Sequence, residues 1–116
     1  MDLGELGNYI EDEGVGYLAQ LIRGSATLIS LNITHNHITK DGLKRLVDDA
    51  LQHNQSLIFF DYVQYGVEIS KYTMIDMKAY LERNKQLFLS KHSVPALEQV
   101  VIPEHVNEIY SVYRTH

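Results

Sequence analysis

The sequence predicts an α/β fold built from a repeated strand–turn–helix unit of 28 to 30 residues. Three observations carry this: a turn motif that recurs along the chain, an apolar helical stripe after each copy, and a strand frame that recurs in step with them. Self-similarity at a fixed period of this length marks units that bury their apolar faces by stacking on one another.

The turn motif Asn8-Tyr-Ile-Glu-Asp-Glu-Gly14 returns as Asn36-His-Ile-Thr-Lys-Asp-Gly42 at an offset of 28, and both copies read N-x-I-x-x-[DE]-G. After the first glycine, Val15, Leu18, Ala19 and Ile22 fall at i, i+3, i+4 and i+7. After the second, Leu43, Leu46, Val47, Ala50 and Leu51 do the same and add i+8. Each run is the stripe of a helix with one buried face. The strand frame Leu28-x-x-Leu31-x-Ile33-x-x-Asn36-x-Ile38 returns as Leu57-x-x-Phe60-x-Tyr62-x-x-Tyr65-x-Val67 at an offset of 29, and Asn54-x-x-Leu57 returns as Asn84-x-x-Leu87 at 30. Strand alternation sends Leu31 and Ile33 to one face and Ser30, Asn32 and Thr34 to the other. Asn36 stands where the chain leaves the strand, and its amide can bond main-chain groups stranded by the turn. Gly42 suits a close approach of helix and strand.

The L-x-x-L-x-L-x-x-N-x-I frame of residues 28–38, with its partial copies, resembles the leucine-rich repeat family, in its ribonuclease-inhibitor-like class. Asn8, Gly14, Leu28, Leu31, Ile33, Asn36, Ile38, Gly42 and Leu57 are the repeat positions. The resemblance implies a short solenoid with parallel strands on a concave side, helices on a convex side, and an asparagine ladder from coil to coil. It also implies a scaffold for recognition without chemistry.

The pattern weakens at both ends. In the third unit Tyr65 replaces the asparagine and Lys71 stands near the glycine position, although Met74, Met77 and Leu81 keep a helical stripe with Tyr80 beside it. The repeats are expected to fill residues 1–91 as about two and a half to three units, the first incomplete, with residues 92–116 as a helical C-terminal cap. Ser93-Val-Pro95 would begin that cap, Val94, Leu97, Val100 and Val101 would form its first stripe, and Pro103 would interrupt it before Val106, Ile109, Tyr110 and Tyr113. A full first unit needs about seven residues more than precede Asn8, which predicts an incomplete N-terminal edge. Such an edge points to a homo-oligomer, or to the terminal fragment of a longer repeat protein.

Composition narrows the function. A net charge of −5 argues against a phosphate-backbone binder, and the absence of cysteine excludes disulfides and thiolate metal sites. No apolar run approaches the ~20 residues of a membrane span, and the acidic start is unlike a secretory leader. A cytoplasmic protein that binds neither nucleic acid nor membrane is expected. His35 and His37 flank Asn36, but no further ligand recurs at a metal-binding spacing. Glu11, Asp12, Glu13 and Asp41 fit helix N-termini, where carboxylates complement the dipole. With no G-x-S-x-G, no phosphate-binding loop and no D-x-D-x-D-G calcium loop, no enzyme, metal or cofactor is expected. The candidate site is therefore a protein-binding patch on the strand face: Ser30, Asn32 and Thr34 beside Phe59, Asp61 and Val63, with Tyr65 at the strand exit. The expected function is non-catalytic binding of a partner protein there, the alternative being self-association.

Overall fold

The computed structural model describes residues 12–64 and 66–100. Asn8 and Tyr65, and the C-terminal stripe from Val106 to Tyr113, lie outside the described residues. Helix α1 (Asp12–Gly24) buries Val15, Leu18, Ala19 and Ile22, and it ends at Gly24 where Ser25 Oγ accepts the N–H of Leu28 at 2.9 Å. Strand β1 (Ser30–Asn32) runs parallel to strand β2 (Phe59–Asp61), with Ser30 opposite Phe59 and Asn32 opposite Asp61.

Between the strands, helix α2 (Lys40–Arg45) starts on Thr39, whose hydroxyl accepts the N–H of Gly42 at 3.1 Å. Its next turn, Leu46–Ala50, widens into π geometry, the N–H of Leu51 reaching back to the Leu46 carbonyl, and a 3-10 turn closes it at Leu51–His53. The wider turn brings the adjacent pairs Leu46–Val47 and Ala50–Leu51 onto the core side together, and all four are buried. Helix α3 (Lys71–Lys91) follows β2, capped by Ser70 Oγ on the N–H of Thr73, and helix α4 (Val94–Val100) follows it with Pro95 in its first turn. The core lies between the helices and the strand pair, with Leu31, Ile33, Ile38, Leu57 and Phe60 closing onto the helical stripes and Met77 reaching in from α3. Within the described residues α1 and α3 both pack against the segment 46–53 that continues α2.

The solenoid with a parallel strand array is not formed. The described chain is mostly helical, and its sheet holds two strands of three residues each. The physical reason is clearest in the third unit. Residues 71–91 contain neither glycine nor proline and are rich in Lys, Met, Leu, Glu and Arg, so nothing stops a helix of 21 residues. Leu87, which the 30-residue offset pairs with Leu57 ahead of β2, therefore lies inside α3.

Two polar clamps hold the layers in register. Asn54, 1% exposed, donates to the carbonyls of Ile22 at 2.6 Å and Ser25 at 3.1 Å, and its Oδ1 accepts the N–H groups of Ser56 at 2.9 Å and Leu57 at 2.7 Å. Asn84, in the middle of α3, donates to the Leu57 carbonyl at 2.7 Å and to Asn54 Oδ1 at 3.4 Å. Arg83 beside it donates to the carbonyls of Leu51 at 3.1 Å, Gln52 at 3.0 Å and Asn54, which satisfies the frayed end of the middle helix. The second clamp lies at the strand exits. Gln64 donates to the Ile33 carbonyl at 2.7 Å and accepts the Asn36 N–H at 2.9 Å, while Asn36 Nδ2 donates to Ile33 at 2.8 Å and Thr34 at 3.3 Å.

Removing a buried amide with four partners leaves main-chain groups unsatisfied. Asn54→Ala is expected to lower the unfolding free energy by about 2–4 kcal/mol. Asp49→Ala, which breaks only an exposed ion pair with Arg45, should change it by about 0.5 kcal/mol or less. Urea denaturation of the two variants checks the contrast, and equal midpoints would contradict it.

Candidate interaction surface

The strand face does not present the six-residue patch that alternation predicts. Asn32 and Thr34 are buried, at 5% and 3% exposure. Asn32 Oδ1 turns back along its own chain, accepting the Thr34 N–H at 2.9 Å and hydroxyl at 2.7 Å, and its buried Nδ2 has no partner among the described residues. Alternation sets the side on which a residue emerges, and it says nothing of local turns such as this one. Ser30, Phe59 and Asp61 are half-buried, and Val63 is 53% exposed. The patch therefore reduces to Phe59, Asp61 and Val63 along β2, with Ser30 beside Phe59 across the pair.

The repeat positions Leu31, Ile33, Ile38, Leu57 and Gly42 are buried and Leu28 packs against the core at its edge. Gly14 lies within α1 rather than ahead of it. His35 adopts a left-handed conformation, φ 61°, and donates its main-chain N–H to Val63 at 3.3 Å. It is half-buried while His37 is exposed, and among the described residues no group of three His, Cys, Asp or Glu side chains is placed to hold a metal ion.

A different surface emerges on the far side of β2. In the parallel ladder Phe59 donates to Ile29 at 3.0 Å, and Asp61 accepts from Ile33 at 2.9 Å. Phe60 and Tyr62 therefore turn their main-chain N–H groups the other way, where no described residue pairs with them. Next to this edge runs an open groove of about 520 Å³, with Ile58, Phe59, Leu81 and Leu97 as its apolar lining and Lys78, Glu82 and Lys85 as its charged rim. No residue of α1, β1 or α2 lines it. It is an end face, where a further strand could lie beside β2 and against α3.

The charges of that face are net positive, with Glu82 lying between Lys78 and Lys85. Lys71, Lys78 and Lys85 are spaced seven apart, two helical turns each, so they form one stripe along α3. Among the described residues none of the three has an ion-pair partner; the two ion pairs present, Lys44–Asp48 and Arg45–Asp49, lie on the middle helix. Five of the ten basic residues of the chain sit on α3, and of these Arg83 is taken up by the carbonyls it holds and by the Tyr80 ring, 5.2 Å away. Tyr72 and Ile75, 80% and 54% exposed, add apolar area to the outer surface of the same helix.

A second groove of about 500 Å³ also lies near the start of the strands, where Ile29, Ser56, Phe88 and Ala96 meet and the Phe88 and His92 rings stack at 4.4 Å. The Ser56 hydroxyl in its lining donates to the Leu28 carbonyl at 2.7 Å. Among the described residues no helix is long and apolar enough to cross a membrane. No protein-family model and no curated protein matches this chain.

Sequence reasoning missed Gln64, Asn84 and the end face. For Gln64 the signal was available: it follows Asn36 by 28 residues, the spacing that separates Asn36 from Asn8, whereas the 29-residue strand offset selects Tyr65.

Tyr62 borders the open edge. Its hydroxyl donates to Met74 Sδ at 3.4 Å, and burial first, then the Asp61 carboxylate, raises its ionisation above the usual phenol value of 10.0. The unfolded chain gives up this proton first, so the contribution to stability is whole below pH 10.0 and is lost as pH climbs through the folded value. Stability is expected to fall above that pH, and Tyr62→Phe to make the fall shallower. Thermal melts of both proteins across the alkaline range test this, and parallel pH profiles would count against it.

Proposed function

We propose that this chain is a non-catalytic protein-interaction module that binds its partner at the end face formed by the free edge of β2, the groove beside it and the lysine stripe of α3. The observation that supports this reading is the coincidence of strand N–H groups with no partner among the described residues, an apolar groove, and Lys78 and Lys85 on its rim with no ion-pair partner among those residues. Edge addition supplies affinity through main-chain hydrogen bonds, and the flanking side chains choose the sequence that is added. Phe59 and Leu81 act as apolar anchors and the lysines select an acidic partner. Val63 and Asp61 extend the contact onto the strand face.

A photo-crosslinking residue at Lys78 tests the assignment in cells. The control position is Lys44, exposed on the middle helix away from the groove. Discrete heavier adducts are expected from position 78 and not from position 44. Equal labelling from both positions, or none from position 78, would remove the end face as the binding surface.

A further inference from the structure

The partner at this face can be specified. We infer that a second copy of this chain occupies it, stacking head to tail with the acidic first unit of one molecule against β2 and α3 of the next. This rests on the end face being the binding surface, and three observations lead from that face to this occupant.

The first is complementary charge. Asp2, Glu5, Glu11, Asp12 and Glu13 all fall within the first 13 residues, and the first basic residue of the chain is Arg23. Lys71, Lys78 and Lys85, which have no ion-pair partner among the described residues, stand on the surface they would meet. The second is the shape of the vacancy. β2 and α3 border an open groove lined by Ile58, Phe59, Leu81 and Leu97, which has room for a further apolar segment. The first unit of the chain carries the same N-x-I-x-x-[DE]-G motif as residues 36–42, and the apolar stripe that follows has the same spacing.

The third is the outer flank of α1. A Cβ at Gly16 would stand 3.9 Å from Arg45, so that side of α1 faces the middle helix. Leu21 lies five residues on, about 140° round the axis, and therefore on the flank turned away from it. Leu21 and Tyr17 are 36% and 77% exposed, an apolar pair one turn apart on a helix whose other apolar residues are buried. Tyr72 and Ile75 are the exposed apolar pair on α3. The two outer helices thus each carry an aromatic and an aliphatic anchor, and their net charges are opposite in sign.

The contact is heterologous: the surface given differs from the surface received. Such contacts propagate, so the product is a concentration-dependent series of oligomers rather than a closed dimer. Salt screening should weaken it, because the lysines and carboxylates involved are on the surface.

Sedimentation velocity of the full chain tests this with three proteins. Wild type should gain mass steadily with concentration, and its association constant should fall roughly tenfold or more as the Debye length shrinks from about 10 Å at 0.1 M salt to about 3 Å at 1 M. Lys78→Glu with Lys85→Glu should stay monomeric, and so should Asp2→Lys with Glu5→Lys and Glu11→Lys. Mixing the two variants restores opposite charges at both contacts and should restore the oligomer series, which also shows that each variant is folded. A monomeric wild type, undiminished association of either variant alone, or a mixture that remains monomeric would each overturn the inference. A monomeric wild type that still forms adducts with other proteins from position 78 would remove the second copy while leaving the end face as a binding surface.

Discussion

One buried amide organises this molecule. Asn54 spends both of its Nδ2 protons on the last carbonyls of α1 and the turn after it, and both lone pairs of Oδ1 on the segment that leads into β2. A side chain in that position costs a great deal unless every group is matched, and here every group is matched. The first helix, the middle helix and the second strand are thereby tied to one point. Asn84 repeats the arrangement one layer on, bonding Leu57 and Asn54 itself, and Arg83 binds the carbonyls that the middle helix leaves unmatched. The apolar stripes supply most of the driving force for burial, while the amides set which residue meets which.

The same contacts leave one side of β2 open among the described residues. β2 leads into α3, and the chain then turns into α4 instead of a third strand. The unpaired N–H groups of Phe60 and Tyr62 follow from that ending. Free strand edges are ordinarily guarded, and lysines are a common guard. Lys78 and Lys85 line the groove beside this edge, with Glu82 between them.

Much of the local structure was legible in the residues. The i, i+3, i+4, i+7 stripes beginning at Val15 and Leu43 are the buried faces of the first two helices, and the alternation at Leu31 and Ile33 marks the inward side of β1. Those signals are strong because burial of one face repeats at the period of the element. What escaped depended on contacts across layers. The spacing of Asn54 and Asn84 is visible, but that both amides would be buried and fully bonded follows only from the fold around them. Asn32 and Thr34 look outward by alternation, yet a local bond between them folds the chain back on itself. The expected strand array failed for the same kind of reason. An 11-residue frame identifies one strand well, while the continuation of α3 through Leu87 is governed by the absence of any residue that stops a helix.

The free edge of β2 and its occupation on association are most directly tested by amide hydrogen exchange at Phe60 and Tyr62 as the protein is concentrated. In dilute solution these two amides should exchange faster than that of Asp61, whose strand partner is present, and both should become protected as concentration rises. Protection equal to that of Asp61 at the lowest concentration, or exchange indifferent to concentration, would contradict an open edge that pairs with another molecule.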